Sequence, residues 1–285
     1  MASKSKPASK KAASPKAAAK VASPTKPRRW RWVAAGLFVM AAAVVVHAFA
    51  TLPDADEIAR LAKRPPHSTA LIDARAREAE KEGHRFTKQQ RWVPLGEVAP
   101  ELVSCVIASE DARFFLHDGV DVAQMKQAVE KDLRTHRYAR GASTLTQQLA
   151  KNLWLTENKS LLRKLQEAVL AERLEDALSK ERILELYVNE AEWGEGIFGV
   201  EAASRAYFNR EPRALTLAQS AMLAAMLPAP RRLSPRTDAA ELLPRARHVL
   251  ERVADEHLAT PKALALAREE LERTLAPGER RQASM

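Results

Sequence analysis

The clearest pattern in the chain is a run of twenty residues, Val33 to Leu52, that contains no Asp, Glu, Lys or Arg. About 20 apolar residues suffice to cross a bilayer as a helix, so residues 33–52 read as a transmembrane anchor. Ala48-Phe49-Ala50 also fits a small-x-small signal cleavage site. Signal cores run to only about 7–15 residues, however, and the longer run favours an uncleaved anchor. Residues 53–90 are polar and charged, are broken by Pro65-Pro66, and read as a stalk. From about residue 91 the apolar spacing becomes helical. Pro100 followed by Leu102, Val103, Val106 and Ile107 predicts a helix ending near Glu110 and Asp111. Further helices are predicted over 161–178 and 180–189. Thr216-x-x-Gln219 reads as a capping box ahead of Leu217 to Leu227, with Pro228 as the stop. Thr260 then Pro261 reads as an N-cap with proline at the first helical position. No strand alternation of useful length and no internal repeat is visible. The predicted fold class is mainly α, with a folded domain over 91–275 and a short tail over 276–285.

Charge sharpens this division. The net charge is +10, from 46 Lys and Arg against 36 Asp and Glu. Ten of the basic residues and no acid lie in residues 1–32, so the rest of the chain is neutral. A neutral globular part has no general electrostatic drive onto nucleic acid, and no nucleic-acid partner is expected. The Lys-, Ala-, Ser- and Pro-rich tail over 1–32 has too little apolar surface to fold. Its basic block, with Trp30 and Trp32 at the edge of the span, predicts a cytoplasmic N-terminus and a domain outside the membrane. The single cysteine, Cys105, excludes an internal disulfide and sits among apolar neighbours that suggest core.

Four dense blocks carry candidate chemistry. The first is Glu110-Asp111-Ala-Arg-Phe114-Phe-Leu-His117-Asp-Gly119, where an apolar helix gives way to a loop. A carboxylate there can face a cleft while its backbone stays fixed, although an isolated Glu-Asp pair is ordinarily a solvated helix end. The second, Arg140-Gly141-Ala-Ser143-Thr144-Leu-Thr146-Gln147-Gln148-Leu-Ala-Lys151-Asn152, gathers hydroxyls, amides and a cation. A helix start capped by Ser143 would explain only part of it. In the third, Arg163, Lys164 and Glu167 share one side of a helix, which by itself is an ordinary surface ion pair. The fourth runs from Ile183 through Tyr187 and Asn189 to Gly194, Gly196 and Gly199, ending at Tyr207-Phe208. Its glycines imply unusual backbone angles or close approach.

Together these strings resemble the signature motifs of the family 51 glycosyltransferases, the peptidoglycan polymerases. EDARFFLHDG, GASTLTQQLAKN, RKLQE and ILELYVN…GEGIFGVEAASRAYF occur in the family's order and spacing over roughly residues 92–230, and the last motif resembles Ala221 to Pro230. Ala142 stands where a second glycine is commoner. Trp193-Gly194-Glu195-Gly196-Ile197 is most similar to the single-domain, Gram-negative branch. No transpeptidase Ser-x-x-Lys lies in the globular part and no Lys-Thr-Gly follows.

The resemblance implies a lysozyme-like helical catalytic domain with a smaller membrane-proximal lobe. It implies polymerisation of lipid II onto a lipid-linked glycan chain, with inversion to a β-1,4 linkage and release of polyprenyl diphosphate. Glu110 would be the general base and Glu167 a second catalytic carboxylate. Ser143, Thr144, Gln148, Lys151, Asn152, Lys159, Arg163 and Lys164 would bind the sugars and diphosphates. Phe114, His117, Asn189, Tyr207 and Phe208 would shape the cleft, with His117 structural rather than an acid or base. Glu167 would orient the cations or hold Mg²⁺ or Mn²⁺; no organic cofactor is expected. The implied location is the bacterial inner membrane, single-pass, with a periplasmic domain. Its surface over about 120–138 would border the bilayer, and other cell-wall synthesis or division proteins are candidate partners. The rival readings are a lysozyme-like enzyme that cleaves glycan, for which the cations have no obvious use, and an inactive scaffold, against which the two intact carboxylates argue.

Overall fold

A computed structural model describes residues 29–135, 143–156 and 160–275. The basic tail over 1–28, residues Arg140 to Ala142, Lys159 and the tail over 276–285 lie outside these. The described helices are α1 (Arg29–Ala50), α2 (Ala55–Arg60), α3 (Ala70–Lys81), α4 (Pro100–Glu110), α5 (Val122–Thr135), α6 (Leu145–Trp154), α7 (Leu161–Ala177), α8 (Lys180–Glu190), α9 (Val200–Phe208), α10 (Leu217–Met226), α11 (Ala239–Asp255) and α12 (Pro261–Leu275). The strands are β1 (Gln89–Gln90), β2 (Glu192–Gly194) and β3 (Ile197–Phe198). The fold is mainly α. The chain divides into two compact units, 1–46 and 47–285.

In the first unit, α1 is long and apolar enough to cross a membrane. Over residues 30–46 its large side chains are exposed, Phe38 at 76% and Val46 at 68% among them. Exposed apolar side chains of this kind suit a helix whose solvent is lipid.

In the second unit, local signals start most helices where the sequence predicts. Pro100 opens α4, and Thr216 with Gln219 forms the reciprocal capping box of α10. The Thr260 hydroxyl accepts from Ala263 N–H at the start of α12. Ser160 and Ser179 cap α7 and α8. Each such cap is worth about 1 kcal/mol. α4, α10, α11 and α12 pack on one another, and α6 packs on α7 and α8. Leu102, Cys105, Val106 and Ala108 of α4 are fully buried, so Cys105 is core.

Residues 53–90, expected as a stalk, are instead folded onto this unit. Ile58, Leu61, Ile72 and Ala79 are buried. Trp154 Nε1 donates to Glu57 at 2.9 Å, Arg182 Nε to the Leu61 carbonyl at 2.7 Å, and Arg173 Nη1 to the Pro53 carbonyl at 3.2 Å. The charged residues that made the segment look solvated lie on the outer faces of two short helices, whose few apolar positions are buried.

A small sheet was not foreseen either. β1 pairs parallel with β3 (Gln89 opposite Ile197), and β3 pairs antiparallel with β2. Strands of two or three residues are too short to show alternation. Gly196 and Gly199 take positive φ in this region. A side chain at Gly194 would collide with the Tyr207 hydroxyl.

Candidate active site

Glu110 closes α4, and the next residue leaves helical geometry at φ −160°. The abrupt turn aims the Glu110 carboxylate into a cleft of about 350 Å³ whose wall includes Ala225, Pro244, Arg245, His248 and Arg252. Gln148 Nε2 donates to Glu110 Oε2 at 2.8 Å. Burial raises the Glu110 pKa above the ordinary carboxylate value; the Gln148 hydrogen bond and the charges of Arg252 and Lys151 oppose this, and Asp111 adds to it. A proton acceptor whose affinity is raised by burial and held in check by fixed donors is suited to general-base chemistry near neutrality.

Asp111 turns the other way and is fully buried. Its carboxylate accepts from Leu145 N–H at 3.0 Å, at the first turn of α6, and meets His117 Nε2 at 3.0 Å. It therefore ties the end of α4 to the start of α6, the helix that carries Gln148. Phe114 is fully buried and edge-on to His117, and Lys180 lies over its ring at 4.4 Å. Phe114 and His117 thus brace the Asp111 junction.

The second block divides into inward and outward groups. Thr144, expected to bind substrate, is corrected to a cap. Its buried hydroxyl donates to the Gly119 carbonyl at 2.6 Å and accepts from Gln147 N–H at 3.1 Å, within a full capping box. Its proton is committed to the Gly119 carbonyl and the residue is 1% exposed. The cap is Thr144 and not Ser143. Ser143 Oγ instead accepts from Lys164 Nζ at 2.6 Å. Gln148 is engaged at both ends of its amide, by Glu110 and by the Tyr187 hydroxyl at 3.1 Å. Asn152 and Lys151 are half-buried on α6.

Lys151 is the link to the third block, since its charge acts on both Glu110 and Lys164. Glu167 is buried between two cations, with Arg163 on Oε1 and Lys164 on Oε2 at 2.8 Å. Burial, then the charges of Arg163 and Lys151, push Lys164 down to about 8. With both carboxylate oxygens of Glu167 taken by cations, and no cluster of three ligating side chains among the described residues, this donor set does not fit Mg²⁺ or Mn²⁺. Glu167 is built to hold Arg163 and Lys164.

Three residues expected to shape the cleft make identified structural contacts. Asn189 is fully buried and spends its amide on the Val93 backbone, accepting from its N–H and donating to its carbonyl, both at 2.9 Å. It ties the segment after β1 to α8. The Tyr207 hydroxyl donates to the Trp193 carbonyl at 3.0 Å, and Phe208 stacks edge-on against Tyr207. Both aromatics belong to the packing of α9 on the sheet. Sequence reasoning did not single out Tyr187 or the α11 residues Arg245, His248 and Arg252. Tyr187 lay inside a quoted motif; the α11 residues lay beyond all of them.

The family described as transglycosylase matches residues 77–254. A biosynthetic peptidoglycan transglycosylase from Thiobacillus denitrificans is 40% identical over 202 residues, 71% of this chain and 86% of that protein. Its namesake from Bordetella pertussis is 48% identical over 177 residues, 60% of this chain and 72% of that protein. Among solved structures, penicillin-binding protein 1A from Haemophilus influenzae aligns with 65% of this chain and 18% of that chain, at 21% identity and a TM-score of 0.37. With its match spanning more than half of its length, this chain belongs to the transglycosylase family of glycosyltransferases.

Proposed function

We propose that this protein is a membrane-anchored peptidoglycan glycosyltransferase that polymerises lipid II into β-1,4-linked glycan with inversion at the anomeric carbon. The observation that carries the reading is electrostatic and geometric. A half-buried carboxylate, Glu110, faces a cleft, and the charge of Lys151 connects it to the cationic group built on Glu167.

Glu110 takes the proton of the acceptor's 4-hydroxyl as that oxygen bonds to the donor's anomeric carbon. The bond from that carbon to the diphosphate breaks, and the diphosphate leaves with the electron pair. Lys151, Arg163 and Lys164 compensate its charge, and Ser143, hydrogen-bonded to Lys164, lies where it can share that contact. Asn152 is assigned to substrate contact as well, and Lys159 is a further cation for the same purpose. Glu167 keeps two of the cations aligned between turnovers. The relatives named biosynthetic peptidoglycan transglycosylase support the substrate class.

The apolar α1 would hold the domain at the outer face of the inner membrane, N-terminus in the cytoplasm, where both lipid-linked substrates reside. Phe115, Leu116 and Val122, exposed at 55%, 74% and 71%, support a bilayer-facing surface at the start of α5. Other wall-synthesis or division proteins would meet the enzyme there. Incubating the full chain with lipid II in detergent tests the reading. Polymer that lysozyme digests is expected, and Glu110→Gln should lose about 10²–10⁴-fold in rate while remaining folded. Cleavage of preformed glycan with no polymerisation would refute it.

A further inference from the structure

Gln148 has an amide with two chemically opposite ends, and the cleft works with only one of them facing Glu110. An ionised carboxylate can only accept hydrogen bonds, whereas an amide can present either N–H or C=O. In the structure Nε2 donates to Glu110 at 2.8 Å, and Oε1 accepts from the Tyr187 hydroxyl at 3.1 Å. Tyr187 sits on α8, which packs against α6, and is 2% exposed. Its burial, reinforced by the charges of Glu110 and Asp111, holds the phenol pKa far above ordinary, so the hydroxyl keeps its proton and remains a donor. Glu110, which can only accept, takes the N–H end of the amide, while the Tyr187 proton goes to its C=O end, so both ends are satisfied together in this orientation.

We infer that Tyr187 is a positioning residue for the reaction: by donating to the Gln148 amide oxygen it holds the amide in place with its N–H on the Glu110 carboxylate. The inference rests on Glu110 being the base. Were the amide to turn over, its oxygen would face the carboxylate and the charged form would lose a donor and gain a repulsive dipole. The other charged groups around Glu110 come from each element packed on it: Asp111 at the end of α4, Lys151 on α6, and Arg252, with Arg245 and His248 lining the same cleft, on α11. The Gln148 oxygen itself is held by Tyr187.

The test is the acidic limb of kcat/KM against pH for lipid II polymerisation by the full chain, since that limb reports the base of the free enzyme. Tyr187→Phe keeps the ring and its packing. It is expected to shift the limb upward by about half a unit to one unit, with activity recovering above the limb. Gln148→Leu, at a half-buried position, should shift it in the same direction. The double variant should resemble Gln148→Leu alone, because Tyr187 acts through that amide. A uniform loss at all pH values, an unmoved limb in Tyr187→Phe, or additive effects in the double variant would overturn the inference while leaving the base intact. If Tyr187→Phe does not fold, an unmoved limb in Gln148→Leu overturns it equally. Full activity in Glu110→Gln removes the base assignment itself, which separates the two failures.

Discussion

Asp111 is the residue whose replacement should be felt most, because it holds the two halves of the site together without facing the cleft. Its side chain is fully buried and accepts from Leu145 N–H and His117 Nε2, each at 3.0 Å. Hydrogen bonds to a charged group contribute about 1.5–3 kcal/mol each, and a buried N–H left without an acceptor costs about 1–3 kcal/mol. Leu145 N–H lies at a helix start and has no intrahelical acceptor to fall back on. Asp111→Ala should therefore cost about 3–5 kcal/mol, a large part of the roughly 5–15 kcal/mol that keeps a domain folded. Asp111→Asn retains an oxygen for Leu145 N–H and exchanges the other for an amide nitrogen, so about 1–2 kcal/mol is expected. Urea unfolding of the detergent-solubilised chain, followed through tryptophan fluorescence, to which the fully buried Trp193 contributes, measures both. An Asp111→Ala protein within 1 kcal/mol of wild type, or an Asn variant less stable than the Ala variant, would show that the junction is held by other contacts.

Two further outcomes follow from the same geometry. Gly119 has φ +83°, and a Cβ there would lie 2.8 Å from the backbone carbon of Ala171 on α7, so Gly119→Ala should destabilise by about 3 kcal/mol and lower Tm; an unchanged Tm would contradict the close approach. Lys164, depressed to about 8, is charged below that value and loses its proton as pH rises through it, so a rate that needs its charge should decline above pH 8. Lys164→Arg stays charged and should carry activity to higher pH, measured as kcat/KM for lipid II between pH 7 and 9.5; identical alkaline limbs in the two proteins would remove Lys164 from the charge requirement.

The helices around the site were legible because their signals are local. Pro100, the Thr216–Gln219 box and the Thr260-Pro261 pair each announce a start within four residues, and the structure begins α4, α10 and α12 there. The folding of residues 53–90 was not legible. Ile58, Leu61 and Ile72 are too sparse to declare a core face; they are buried where α2 packs on α7 and α3 on α6, and Trp154, Arg173 and Arg182 hydrogen-bond to residues 53–61 from far along the chain. The apolar spacing of Leu242, Ala246, Val249, Leu250 and Val253 on α11 was readable in principle. Pro244 within that helix works against reading it, and no local feature announces that Arg252 faces Glu110.

The roles of Gln147 and Gln148 illustrate what separates the two kinds of signal. Successive residues on a helix point about 100° apart, so two adjacent glutamines cannot serve the same surface. Thr144-x-x-Gln147 is the same capping-box string as Thr216-x-x-Gln219, and both boxes form. At the first of them Ser143 stands directly before Thr144, and either hydroxyl could cap, which leaves the register one residue uncertain. Fixing the cap at Thr144 commits Gln147 to the helix start and turns Gln148 toward a different face. There it meets Glu110 from α4 and Tyr187 from α8, contacts that no string of neighbouring residues encodes. The cap determines which amide is free, and the tertiary packing of three helices determines what that amide does.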